Sequence, residues 1–327
     1  MNRAPGDWFF FERTRVVPKN IINRSLSLLV AAILALLQCT ASADTIFFTE
    51  NFEDANFASR GWYDITTGTI DTNASSPAGG NASLRISWTQ GSTTPTTPTR
   101  HLFTASDTVY LSFWVKFGTA SVTWRGSGVN YHPHIIQLLT DADSDWTGPA
   151  ITHLSLRVET SLFTPVINFQ DALRVNTGQL AVNLLGTSTS HAIAGGNGVQ
   201  TGSGATHWLS GTTWWNDANY RAASATFINN TWHHVEFYVA MNSIAGGIPQ
   251  ANGILKYWVD GNLVINRTNT YLRTAQYTTQ KFNKLMLLPY IGDGSPIAQD
   301  MWIDNLVVAD QPPASQTIPA PANLRVN

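Results

Sequence analysis

Only one cysteine, Cys39, occurs in 327 residues, so no disulfide can staple this chain internally. Charge is scarce as well. Asp, Glu, Lys and Arg together make up 12 % of the residues, with 19 basic against 21 acidic side chains. Without a basic patch to neutralise phosphates, nucleic acid is excluded as an expected partner. No stretch of ten or more residues carries a helical period. A phosphate-binding Walker loop, a dinucleotide fingerprint, a G-x-S-x-G elbow and an H-E-x-x-H pair are all missing, which removes the commonest nucleotide, serine-esterase and zinc-protease readings. Internal repeats are absent too.

What is present begins with a leader. Residues 1–24 hold Arg3, Arg13, Arg15, Lys19 and Arg24 against Asp7 and Glu12. The apolar run Ser25–Leu37 and the small-residue site Ala41-Ser42-Ala43 follow. These three parts predict a signal peptide over 1–43, removed with Cys39, and a secreted or periplasmic product starting at Asp44. The apolar run is shorter than the roughly 20 residues of a spanning helix, so no lasting membrane insertion is expected. Removing five basic and two acidic residues leaves 14 against 19, a net charge of −5. Eleven of the 12 tryptophans remain, amid abundant Ser, Thr, Asn and Gly, a surface suited to neutral or sugar-like ligands.

Apolar residues alternate, as in Val109-Leu111-Phe113-Val115, Leu154-Leu156-Val158, Val235-Phe237-Val239 and Leu255-Tyr257-Val259. Period two is the mark of half-buried strands. Asp260-Gly261 between two such runs predicts a tight hairpin turn with positive φ. Many short strands separated by turns predict an all-β, antiparallel two-sheet jelly-roll sandwich, one domain over 44–310. Residues 311–327, with four prolines, read as a linker or tail. Within it Ala320–Val326 is similar to the opening of a fibronectin type III module. The Gly/Ser/Thr-rich stretch 186–213, which holds His191, His207 and Trp208, reads as a disordered loop or a functional lid.

Residues two apart share a strand face. Opposite the apolar positions stand Tyr110, Ser112, Trp114 and Lys116; Ser83, Arg85 and Ser87; His153, Ser155, Arg157 and Glu159; His234, Glu236 and Tyr238; and Lys256, Trp258 and Asp260. Rings, guanidinium groups and acid/base groups on one side predict a sugar groove; the competing reading is an ordinary solvated outer sheet. Tyr131-His132-Pro133-His134 puts two histidines on one strand face, open to catalysis, sugar contact, metal binding or a structural role. Asp141, Asp143 and Asp145 are spaced for calcium on a loop, although Trp146 and Thr152 rule out an EF-hand.

The run Phe47–Asp54 with Gly61-Trp62-Tyr63, the closing run Met301–Val308, and the segments Thr231–Tyr238 and Tyr257–Gly261 resemble concanavalin A-like lectins, laminin-G-like modules and jelly-roll polysaccharide lyases. The resemblance spans most of 44–310 in order. It implies a calcium clip between first and last strands, at Glu53 and Asp304, and polysaccharide as partner. In the lyase version, Arg85 or Arg157 neutralises a uronate carboxylate while His134 or Tyr238 takes the proton. Glu236 completes the catalytic set, and Trp114, Lys116, His153, Glu159, His234, Lys256 and Trp258 would contact substrate. A glycosidase would instead have to use Glu159 with Glu236, since hydrolysis needs two carboxylates. A non-catalytic binding or adhesion module and a structural envelope protein are the other readings.

Overall fold

The computed structural model describes residues 45–118, 133–141, 153–159, 164–176, 207–210, 213–223, 227–270, 272–273, 278–287, 289–292 and 294–313. For 153–159, 168–176, 207–210, 213–219, 221 and 248–249 it describes the backbone alone. The expected leader, most of the 186–213 stretch and the tail from 314 onward lie outside the described residues.

Among the described residues eighteen strands run in order. The first six are β1 (Ile46–Glu50), β2 (Trp62–Tyr63), β3 (Thr69–Asp71), β4 (Ser83–Trp88), β5 (Arg100–Ser106) and β6 (Thr108–Phe117). Then come β7 (His134–Thr140), β8 (His153–Glu159), β9 (Thr164–Asn176), β10 (His207–Ser210), β11 (Thr213–Arg221) and β12 (Trp232–Ala240). The last are β13 (Ile244–Ala245), β14 (Ile248–Pro249), β15 (Gly253–Val259), β16 (Asn262–Thr270), β17 (Phe282–Met286) and β18 (Gln299–Ala309). Among the described residues the one helical element is a 3-10 turn at Phe57–Arg60, as the lack of helical periodicity requires.

One eight-stranded sheet has the order β16-β15-β12-β6-β18-β4-β3, with β1 on β18; the other runs β10-β11-β9-β8-β7-β17-β5-β2. Every pairing among the described strands is antiparallel, and the chain passes repeatedly from one sheet to the other, which is the predicted jelly-roll sandwich. Alternation decides what lies between the sheets. Leu111, Phe113 and Val115 of β6, Val235 and Phe237 of β12, and Ile303 of β18 meet Ile136, Leu138, Leu285 and Leu287 in one buried core. Each such side chain contributes about 1.5–3 kcal/mol on burial. The β15–β16 turn has φ of 50° at Asp260 and 76° at Gly261, matching the expected hairpin. Asp260 also tethers β12, with Oδ1 accepting from His234 N at 2.9 Å and Oδ2 lying 2.8 Å from His233 Nδ1.

The two sheets are clasped at one end by Glu50. This buried carboxylate closes β1 of the first sheet and accepts from Phe52 N at 2.9 Å, Arg60 Nε at 2.8 Å and Trp62 Nε1 at 2.9 Å. Trp62 belongs to β2 of the second sheet, so one side chain ties both layers together.

Candidate active site

The second sheet has two covered faces. Leu138 and Leu285 point into the sandwich core, while their neighbours on the opposite face are Gln137, Leu139, Lys284 and Met286, all buried. Register aligns Ser155, Gln137, Met286, Arg100 and Tyr63 across five strands. Lys284 stands two residues from Met286 and therefore on the same face. His134 joins them through a bulge. Gln137 pairs with Ser155 and His134 with Arg157, two residues further along β8, while the register shifts between His134 and Ile136. The extra residue brings His134 and Gln137 to one face despite their odd spacing. A Lys, a His and a Gln no more than 4 % exposed form a buried polar cluster on a face outside the main core. Lysine is seldom so buried unless paired, and Lys284 is 4 % exposed in this cluster. Arg100 enters from the neighbouring strand and pairs with Asp64. The His134 ring meets Tyr290 edge-on at 5.7 Å, and His134 N donates to the Tyr290 carbonyl at 3.1 Å.

The outward face of the first sheet is of another kind. Tyr110 donates to Glu236 Oε1 at 2.6 Å, His234 Nδ1 lies 3.7 Å from Glu236 Oε2, and His234 Nε2 lies 2.8 Å from Ser112 Oγ. Trp114 stacks on His234 at 5.0 Å. One row further on, the Lys116 ammonium sits between two indoles, 5.1 Å from Trp232 and 4.3 Å from Trp302. Burial lowers the Lys116 pKa, with the Asp71 charge opposing it. Burial also raises the Tyr238 phenol, against a hydrogen bond from Gln311.

The single expected groove therefore divides in two. Arg157, His134, His153 and Glu159 belong to β7 and β8 of the second sheet. Tyr238, Glu236, His234, Arg85, Trp114, Lys116, Lys256 and Trp258 belong to the first. Arg157 and His134 are indeed cross-strand neighbours, but Tyr238 and Arg85 cannot share a proton-transfer site with them. The reason is simple: period two fixes the face of a strand and says nothing about its sheet. The hydrolase pair fails likewise, because Glu159 and Glu236 lie in different sheets. Gln137, Lys284 and Arg100 were not anticipated. The visible signal was a lysine inside the apolar run Phe282–Leu287.

Of the expected calcium ligands, Asp143 and Asp145 lie outside the described residues, and Asp141 Oδ1 accepts from Lys281 N at 2.9 Å. Glu53 accepts from Asn81 N through both oxygens at 2.9 and 3.0 Å. Asp304 accepts from Ser76 N and Asn305 N, each at 2.8 Å. Burial pushes the Asp304 carboxyl up, and the Glu53 charge adds to this against the Ser76 and Asn305 hydrogen bonds. Among the described residues no three His, Cys, Asp or Glu side chains converge on a metal position. No described helix is long and apolar enough to cross a membrane.

No protein-family model matches the sequence, and no curated protein sequence does. Solved structures do. The fold is shared with the PL-14 alginate lyase of Aplysia kurodai, at 12 % identity and a TM-score of 0.50, over 82 % of this chain and 100 % of that one. Alginate lyase Aly36B is similar at 12 % identity and a TM-score of 0.44, covering 82 % and 97 % of the two chains. Alginate lyase vAL-1 from Chlorella virus follows at 11 % and 0.44, covering 75 % and 90 %.

Proposed function

We propose that this protein is a secreted polysaccharide lyase acting on a uronate-containing glycan, with its site at the polar cluster of the second sheet. The observation that carries the reading is the co-facial set of buried His134, Gln137 and Lys284 with partly buried Arg100, on a face that the sandwich core does not use. Buried cationic and amide donors suit a sugar carboxylate. Neutralising that carboxylate, by Arg157 opposite His134 and by Lys284, acidifies the adjacent C–H. His134 removes the proton; Tyr290, in contact with its ring, delivers one to the departing glycosidic oxygen. The C–H and C–O bonds break, and a C=C bond forms between the two carbons. No water is consumed, which separates this chemistry from hydrolysis. The shared fold with an alginate lyase is compatible with alginate as the substrate class and does not select it.

The test is to incubate the protein with a panel of polyuronates and neutral glycans and follow ultraviolet absorbance of the unsaturated product. Absorbance growing only with uronates supports the reading. Reducing ends appearing without absorbance would assign hydrolysis, and binding without any product would assign a carbohydrate-binding module.

A further inference from the structure

The first sheet carries a row that the proposed lyase site leaves unused. Trp232, Lys116, Trp302 and Arg85 stand in register on β12, β6, β18 and β4, all half-buried and all on the face away from the core. Adjacent strands are about 4.8 Å apart, so the row extends about 14 Å, a track rather than a point. Its two cations lack anionic partners at contact distance among the described residues. Lys116 faces only the two indole rings, and Arg85 holds a buried Nε with no hydrogen-bond partner. The Asp71 carboxylate accepts from Trp302 Nε1 at 2.8 Å, and its charge acts on Lys116 and Arg85 through space.

Burying an arginine nitrogen without a partner is costly unless something supplies an acceptor. Indoles alternating with cations along an extended row match a chain of pyranose rings bearing carboxylates: sugar rings pack against the exposed indole surface and acid groups meet the cations. We infer that this row is a second, non-catalytic docking track for an acidic polysaccharide, on the opposite sheet from the lyase cluster. The inference rests on the proposed substrate class, since it takes the same polymer as ligand. Docking there would hold polymer at the enzyme between cleavages and raise its local concentration.

The test compares retention on a uronate polymer in affinity electrophoresis, in a His134→Ala background so that the polymer is not consumed. Lys116→Gln with Arg85→Gln should weaken retention about tenfold or more, and Trp232→Ala should weaken it as well. Melting temperature is followed in parallel, and Lys116→Gln alone, which keeps most of the side-chain stem, serves if the double variant unfolds. Unchanged retention in folded variants overturns the inference, as does a concentration-dependent dimer that Trp232→Ala dissociates while retention persists. The lyase assay is read separately. Retention lost in the track variants of a protein that never forms a double bond leaves the track standing and removes the lyase reading. Catalysis with unaltered retention does the reverse.

Discussion

Replacing Glu50 with Ala should be among the most damaging single changes in the sandwich, and its cost can be worked from three contacts. The side chain is buried and accepts from Phe52 N, Arg60 Nε and Trp62 Nε1 at 2.8–2.9 Å. Alanine leaves the Phe52 and Trp62 donors unsatisfied in the interior, at about 1–3 kcal/mol each. Arg60 keeps its contact with Asp54 Oδ1 at 2.6 Å and is 27 % exposed, so part of its loss is recovered from solvent. Breaking a buried pair by removing one partner typically costs about 3–5 kcal/mol, a figure that overlaps the unsatisfied donors rather than adding to them. The expected loss is therefore about 3–5 kcal/mol. At about 2–4 °C per kcal/mol for a domain of this size, the melting temperature should fall by about 6–20 °C. Glu50→Gln, which keeps an acceptor without the charge, should lie between the two. Trp62 fluorescence and circular dichroism in a denaturant titration would follow the change, and a double-mutant cycle with Trp62→Phe should show coupling of about 0.5–3 kcal/mol. A loss below about 1 kcal/mol for Glu50→Ala would refute the claim that this carboxylate clasps the two sheets.

Tyr257 is fully buried, its hydroxyl has no hydrogen-bond partner among the described residues, and burial drives its pKa far up. Tyr257→Phe should therefore raise stability by about 1 kcal/mol in urea unfolding, the lower end of what an unsatisfied buried group costs; a loss would contradict this. The raised Asp304 carboxyl implies that its contribution to stability is full below the ordinary value of 3.8 and is lost as pH rises through the higher folded pKa. In chelator, the melting difference between wild type and Asp304→Asn should then move against wild type over that window. Millimolar calcium should restore the wild type alone, because a ligand of the native state stabilises it. Equal response of both proteins to calcium would exclude Glu53 and Asp304 as its site.

Strand alternation was legible because one face of β6, β12 and β15 is packed and the other is not, so Val109–Val115, Val235–Val239 and Leu255–Val259 declare themselves. The Asp260-Gly261 turn was equally plain. The polar cluster was hard to read for the opposite reason. β7 is buried at all seven positions, so its sequence runs His-Ile-Ile-Gln-Leu-Leu-Thr without alternation, and its bulge defeats parity. Which sheet each polar strand joins depends on pairings far apart in sequence, more than a hundred residues between Lys284 and Leu139. Glu50 lies inside the run Phe47–Asp54 yet carries no local sign of its role, since its partners Arg60 and Trp62 reach it only after the chain turns back.

The most direct measurement of function is the initial rate of double-bond formation on a polyuronate, for wild type and for His134→Ala, Lys284→Ala and Tyr238→Phe at matched folding. Catalysis at the second-sheet cluster predicts that the first two variants lose activity by at least about a hundredfold, within the range for a missing acid–base or charge-stabilising group. Tyr238, on the other sheet, should matter little by comparison. Activity abolished by Tyr238→Phe and retained by His134→Ala and Lys284→Ala would contradict it.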